Sequence, residues 1–216
     1  KLNSLLETVE TEADDALTAE LTSYGMRMKI ASVFRQEAEK EGWIKEEVAY
    51  YINCIGMNNL KLLNAFRLSD TIVFGNYKLN PEEEVKYNRF VYLTYDTAAH
   101  KILCLKTSIS NYSDLVFHKY TFGKKCVLYA IKNDSSLGSW SEELILTVLS
   151  ASDLKEIVSE ECVYYKSWIV GGPPEMECIE YKKDFDFAGD RLHLKGTDFD
   201  YHAWKYVPYE KEYRLF

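Results

Sequence analysis

No CxxC pair occurs in this chain, and no Cys/His cluster has the spacing of a zinc site. The five cysteines fall at Cys54, Cys104, Cys126, Cys162 and Cys178. Four of them sit inside apolar, strand-like runs, where a free cysteine behaves as a small buried hydrophobe. The number is odd and no disulfide pattern is visible, which points to a reducing, intracellular and cytoplasmic setting. Two sequons, Asn111-Tyr112-Ser113 and Asn133-Asp134-Ser135, pull the other way, but such triplets arise by chance in a chain with this much Asn and Ser.

Long apolar runs are also missing. None approaches the roughly 20 residues that a membrane-spanning helix requires, and no charged-then-apolar leader is visible. There is no Gly-x-Ser-x-Gly, and a thiolate is disfavoured in the apolar runs that hold the cysteines, so nucleophilic catalysis finds no support. Gly171-Gly172-Pro173-Pro174 lacks the Lys and Ser/Thr of a phosphate loop, and no helix follows it; a tight turn explains it. Positive charge is in short supply. Lys and Arg total 26 against 34 Asp and Glu, a formal net charge of −8. That balance argues against nucleic acid as a partner, because phosphate binding leans on clustered Lys and Arg.

What is present is enough for a sizeable core. The chain has 216 residues, 47% of them hydrophobic. Residues 1–70 read as a helical N-terminal region of about four short helices. Leu2, Leu6, Val9, Ala13, Leu17 and Leu21 recur in steps of three and four, opposite an acidic face of Glu7, Glu10, Glu12, Asp14, Asp15 and Glu20. Gly25 suits the end of that helix. Met26, Ile30, Val33, Phe34 and Ala38 form the second stripe, and Val48, Tyr51, Ile52 and Ile55 the third. Leu60, Leu62, Leu63, Phe66 and Leu68 read as a short fourth helix. A DNA-reading helix-turn-helix is disfavoured, because Glu46 and Glu47 outweigh Lys45 on the helix that would enter the groove.

From residue 71 to 216 the period changes to two, and the expectation is a largely antiparallel β domain of about seven to nine strands, making the fold α+β. Hairpins are expected over 89–95 with 101–107, over 115–122 with 125–131, and over 162–170 with 175–182. Residues 80–84 read as one helical turn, 151–159 as a short helix capped by Ser150, and 199–207 as the last strand. The run ELILTVLSASDLKEI resembles the opening strand of a C2 membrane-binding domain. The paired aspartate loops that hold calcium in that family do not follow it, and the chain after Leu149 is too short for the rest of such a domain.

Two constellations carry possible chemistry. Glu180-Tyr181-Lys182 is a Glu-x-Lys on a strand, the way many metal-dependent nucleases present a carboxylate that holds a divalent ion and helps activate water. Alternation puts Glu180 and Lys182 on one face. Glu177 and Asp184 are further candidates, and a turn flanked by Val170 and Glu175 sets Glu161 roughly opposite Asp184. The metal set would be Glu161, Glu180 and Asp184 with Mg or Mn, and the catalytic set Glu177, Glu180 and Lys182. The second constellation is His193, Asp198, Asp200 and His202, where the last three alternate along one strand face. An ordinary polar-out, apolar-in strand accounts for both and needs no metal. His118 shares a face with Tyr120 and reads as structural.

Aromatics are the remaining signal, with 17 Tyr and 14% aromatic residues overall. Such residues suit interfaces as well as cores. The leading expectation is a non-enzymatic protein-binding module, or a subunit of a larger intracellular assembly, that uses its β face, its acidic N-terminal helix, or both. The alternative is a divalent-metal-dependent nuclease or phosphodiesterase built on Glu180 and Lys182.

Overall fold

A computed structural model describes residues 15–57, 59–79, 87–111, 114–134, 141–168 and 178–216. The fold is α+β, with three helices and eleven antiparallel strands in two sheets among the described residues. The chain divides into two compact units, Lys1–His118 with Ala151–Lys155, and Lys119–Ser150 with Glu156–Phe216. No helix among the described residues is long and apolar enough to cross a membrane.

In the first unit, α1 (Asp15–Thr22), α2 (Tyr24–Lys40) and α3 (Lys45–Gly56) lie against a four-stranded sheet. Ser23, rather than Gly25, marks the break between α1 and α2. Its hydroxyl accepts from the Met26 amide at 3.1 Å and so satisfies an otherwise orphaned helix donor. The apolar stripes of the helices meet the sheet as their spacing predicts: Met26, Ile30, Phe34 and Ala38 are all buried, as are Val48 and Ile55. The sheet order is β1 (Leu60–Arg67), β2 (Ile72–Leu79), β3 (Tyr87–Asp96), β4 (Lys101–Asn111).

The expected fourth helix is therefore a strand. Its apolar residues fit either period because a bulge between Leu62 and Asn64 resets the alternation. Asn64 decides the outcome. It is fully buried, donates to the Phe117 carbonyl at 2.6 Å, and accepts from Asn76 on β2 at 3.1 Å. Those bonds need a cross-strand neighbour, which a helix would not supply.

The second unit is a seven-stranded sheet in the order β11-β10-β9-β8-β7-β6-β5. The strands are β5 (Phe117–Phe122), whose first two residues belong to the other unit, β6 (Lys125–Asn133), β7 (Ser141–Ser150), β8 (Glu156–Trp168), β9 (Cys178–Ala188), β10 (Arg191–Asp200) and β11 (Lys205–Arg214). Val127, Leu146, Val148, Val158, Leu192 and Leu194 share one core. Contacts reach across its concave side: the Tyr120 hydroxyl donates to the Gly189 carbonyl at 3.1 Å, and Lys125 lies over the Phe216 ring at 5.4 Å. The sheet is thus rolled, and β11, which carries Pro208 between Val207 and Tyr209, is an edge strand among the described residues.

Two further expectations are corrected here. Residues 151–159 do not form a helix: Leu154 has a left-handed backbone (φ 55), and β8 begins at Glu156. Residues 199–207 are not one strand but the β10–β11 turn with its flanks. The Asp200 carboxylate accepts from the amides of His202 and Ala203, at 2.9 and 3.0 Å, and closes that turn. The expected helical turn at 80–84 and the 171–174 turn lie outside the described residues.

Candidate functional site

The site is built where β9 and β10 part. Their ladder pairs Lys183–Ala188 with Arg191–Gly196 and stops there. Beyond it, Cys178–Lys182 pairs with β8, while Thr197–Asp200 pairs with β11. Side chains take the backbone groups that the missing ladder would have used. The Glu180 amide donates to the Tyr206 hydroxyl at 3.2 Å, and the Phe199 amide donates to Asp198 Oδ1 at 2.8 Å. Without them the two amides would depend on water, so these bonds give the fork partners of its own.

Aromatic rings fill and crown the fork. Ile179, Tyr181 and Phe199 form its buried floor, with Cys162 and Tyr165 against them. Tyr165 stacks on Tyr181 at 5.2 Å. Phe199, 5% exposed, touches Tyr201, Trp204 and Tyr206 edge-to-face at 5.0, 6.1 and 5.2 Å. Those three rings are 48%, 42% and 44% exposed. Burial, and then a hydrogen bond with Tyr165, push the Tyr201 phenol pKa up, so it stays neutral.

Beside this floor lies a buried charge cluster. Glu160 on β8 and Lys183 on β9 are 6% and 5% exposed and meet at 3.2 Å. Oε1 of Glu160 also accepts from the Tyr209 hydroxyl, and Oε2 accepts from Tyr213 at 2.6 Å and from Lys211 at 3.3 Å. Lys183 further donates to the Glu161 carbonyl at 3.2 Å and lies 3.4 Å from Asp198. Burial works to raise the Glu160 pKa. Hydrogen bonds from Tyr209, Tyr213 and Lys183, with the Lys183 charge, outweigh it, and the net displacement is downward. Glu160 is therefore a saturated anion that locks strands together. It has no spare lone pair with which to take a proton from a substrate. The Cys162 thiol, pushed up to about 12 by burial and by its bond to Glu143, stays protonated and is a poor nucleophile.

The Glu-x-Lys residues stand on the other face. Along β9, Ile179, Tyr181 and Lys183 are buried, while Glu180, Lys182 and Asp184 are exposed. The register pairs Glu180 with Lys166, one residue away from the register that a turn flanked by 170 and 175 predicts. Glu180 bonds Lys166 and the Tyr164 hydroxyl, both at 3.1 Å, and these bonds hold its carboxyl below the usual range. Lys182 is paired with Asp184. The Glu161 side chain is exposed, and Glu177 lies outside the described residues. Among the described residues no three His, Cys, Asp or Glu side chains are grouped to hold a metal. Glu180→Ala is expected to cost less than about 1 kcal/mol, as for an exposed pair. Millimolar Mn²⁺ is expected to leave the melting temperature of parent and variant unchanged. A rise in the parent alone would move the metal site ahead of the binding reading.

The second constellation is dispersed. His193 pairs with Glu212 at 3.2 Å, Asp198 faces Lys183, Asp200 closes the turn, and His202 sits in that turn rather than on the strand. Sequence reasoning missed Glu160 and Lys183. Only Lys183 carried a signal, by alternating with Ile179 and Tyr181 on the apolar side. Compared with known proteins, the chain matches no family model, no curated protein and no solved structure at a significant level.

Proposed function

We propose that this chain is a non-enzymatic protein-binding module, or a subunit of a larger assembly, that holds its partner on the aromatic crown of the β10–β11 turn. One observation carries the reading: Tyr201, Trp204 and Tyr206 are half-exposed yet fixed around the buried ring of Phe199. Exposed Tyr and Trp are the residues that dominate binding energy at protein interfaces. Rings already held by edge contacts lose little freedom on docking, which favours affinity. All five cysteines are free, which supports the reducing intracellular setting this reading assumes.

The test is site-specific photo-crosslinking in cells. A benzophenone amino acid at position 201 is expected to capture a discrete protein, and the same probe at position 184, on the solvated face, is not. Trp204→Ala is then expected to weaken the captured protein's binding by about thirtyfold or more, as for an interface anchor. Capture at both positions alike, or binding indifferent to Trp204→Ala, overturns the reading.

A further inference from the structure

A second surface lies in the other unit. A cleft of about 520 Å³ runs between α1 and the outer side of β1. All six residues 60–65 line it. Six residues in succession run the cleft along β1, and Tyr77 is its one lining residue from β2. β1 is an edge strand, and its outer side has no strand partner among the described residues.

The walls are of two kinds. Leu21, Leu60, Leu62 and Tyr77 are apolar, and Arg27 and Lys61 bring two cations against the single carboxylate of Asp15. Arg27 Nε is buried and finds no hydrogen-bond acceptor among the described residues. A buried guanidinium N–H without an acceptor is costly, and a carboxylate relieves it with a charge-assisted bond. The bulge between Leu62 and Asn64 turns the edge and shortens the stretch that another strand can pair with. Affinity then depends on side-chain contacts and on the charge at Arg27 as well as on backbone bonds.

We infer that the α1–β1 cleft is a strand-addition site for a short extended peptide that presents a carboxylate to Arg27 and apolar side chains to Leu60 and Leu62. An edge strand beside a helix offers backbone bonds for affinity and flanking pockets for choice. The six lining residues span about 20 Å, the length of a peptide of roughly six residues. This site is independent of the aromatic crown.

The test is selection of random eight-residue displayed peptides on the immobilised full chain, followed by anisotropy with the fluorescein-labelled winners. Enriched peptides are expected to alternate apolar and polar residues and to carry Asp, Glu or a free C-terminal carboxylate. Arg27→Gln is expected to weaken them about tenfold or more, the loss of a charge-assisted bond. Thr18→Trp, which fills the cleft from α1, is expected to abolish binding, and Trp204→Ala to leave it unchanged. Peptides that do not converge, or that ignore Arg27→Gln and Thr18→Trp, overturn the inference. Two other results would also overturn it, by assigning the cleft to a different occupant. One is displacement of the probe by a synthetic peptide of residues 1–14. The other is a chain that self-associates in sedimentation unless Thr18→Trp is present.

Discussion

Glu160→Ala is expected to lower stability by about 3–5 kcal/mol, measured as the free energy of urea unfolding. The reason is what remains behind. Lys183 is 5% exposed and would lose its closest anion, keeping Asp198 at 3.4 Å, one backbone carbonyl and the face of the Tyr209 ring at 4.1 Å. Tyr209, Lys211 and Tyr213 reach the same carboxylate from β11, so that strand loses three anchors at once. They are less buried than Lys183 and recover bonds to water, which is why most of the cost falls on the lysine. A Glu160→Leu, Lys183→Met double variant is expected to regain much of the loss, because replacing both buried charges avoids the stranded ion. If Glu160→Ala alone costs under about 1 kcal/mol, the pair is not the lock described here.

The same carboxylate sets an acid limit. Its folded pKa lies below the ordinary value, so its contribution is complete above the ordinary carboxylate range and is lost as the pH falls through the folded pKa. The urea midpoint is expected to decline on acidification from about pH 4.3 downward, and Glu160→Gln to flatten that part of the profile.

Gly196→Ala is expected to cost on the order of 3 kcal/mol or more, or to prevent folding. A Cβ there would lie 2.1 Å from the Lys182 carbonyl oxygen and 2.8 Å from the Lys183 Cα. Both are backbone atoms, so no side chain can swing away, and β9 and β10 would have to separate one pair earlier. The separation would reach the aromatic crown, and Trp204 fluorescence is expected to shift with it. Gly56→Ala is the control. Nothing lies within 4 Å of its would-be Cβ, and its place in α3 favours alanine, so a neutral or slightly stabilising result is expected.

Where local period decided structure, the sequence was a sufficient guide. The stripes of α2 and α3 are buried as their spacing predicts, and β9 presents Glu180, Lys182 and Asp184 on one exposed face. Where distant chain decided it, sequence reading had no purchase. Glu160 sits between Ser159 and Glu161 and looks solvated. Its donors arrive from residues 23 to 53 positions downstream. The change of facing around Cys162, which has a left-handed backbone (φ 54), also makes Glu160, and not Glu161, the inward residue. Leu60–Arg67 failed as a helix for a related reason: one bulge blurred the two-residue period over a segment of eight residues. The fork depends on where a ladder stops, and the close approach at Gly196 exists only once β9 and β10 are paired.

The outer strand of the seven-stranded sheet has a colloidal consequence. β11 places Pro208, which has no N–H to offer, among Lys205, Glu210, Lys211, Glu212 and Arg214. An incoming strand from another molecule would meet a gap in the donors and a run of mixed charge, the two features that stop sheets from growing sideways. Crowding the protein in solution is therefore expected not to turn this edge into a seed for fibres.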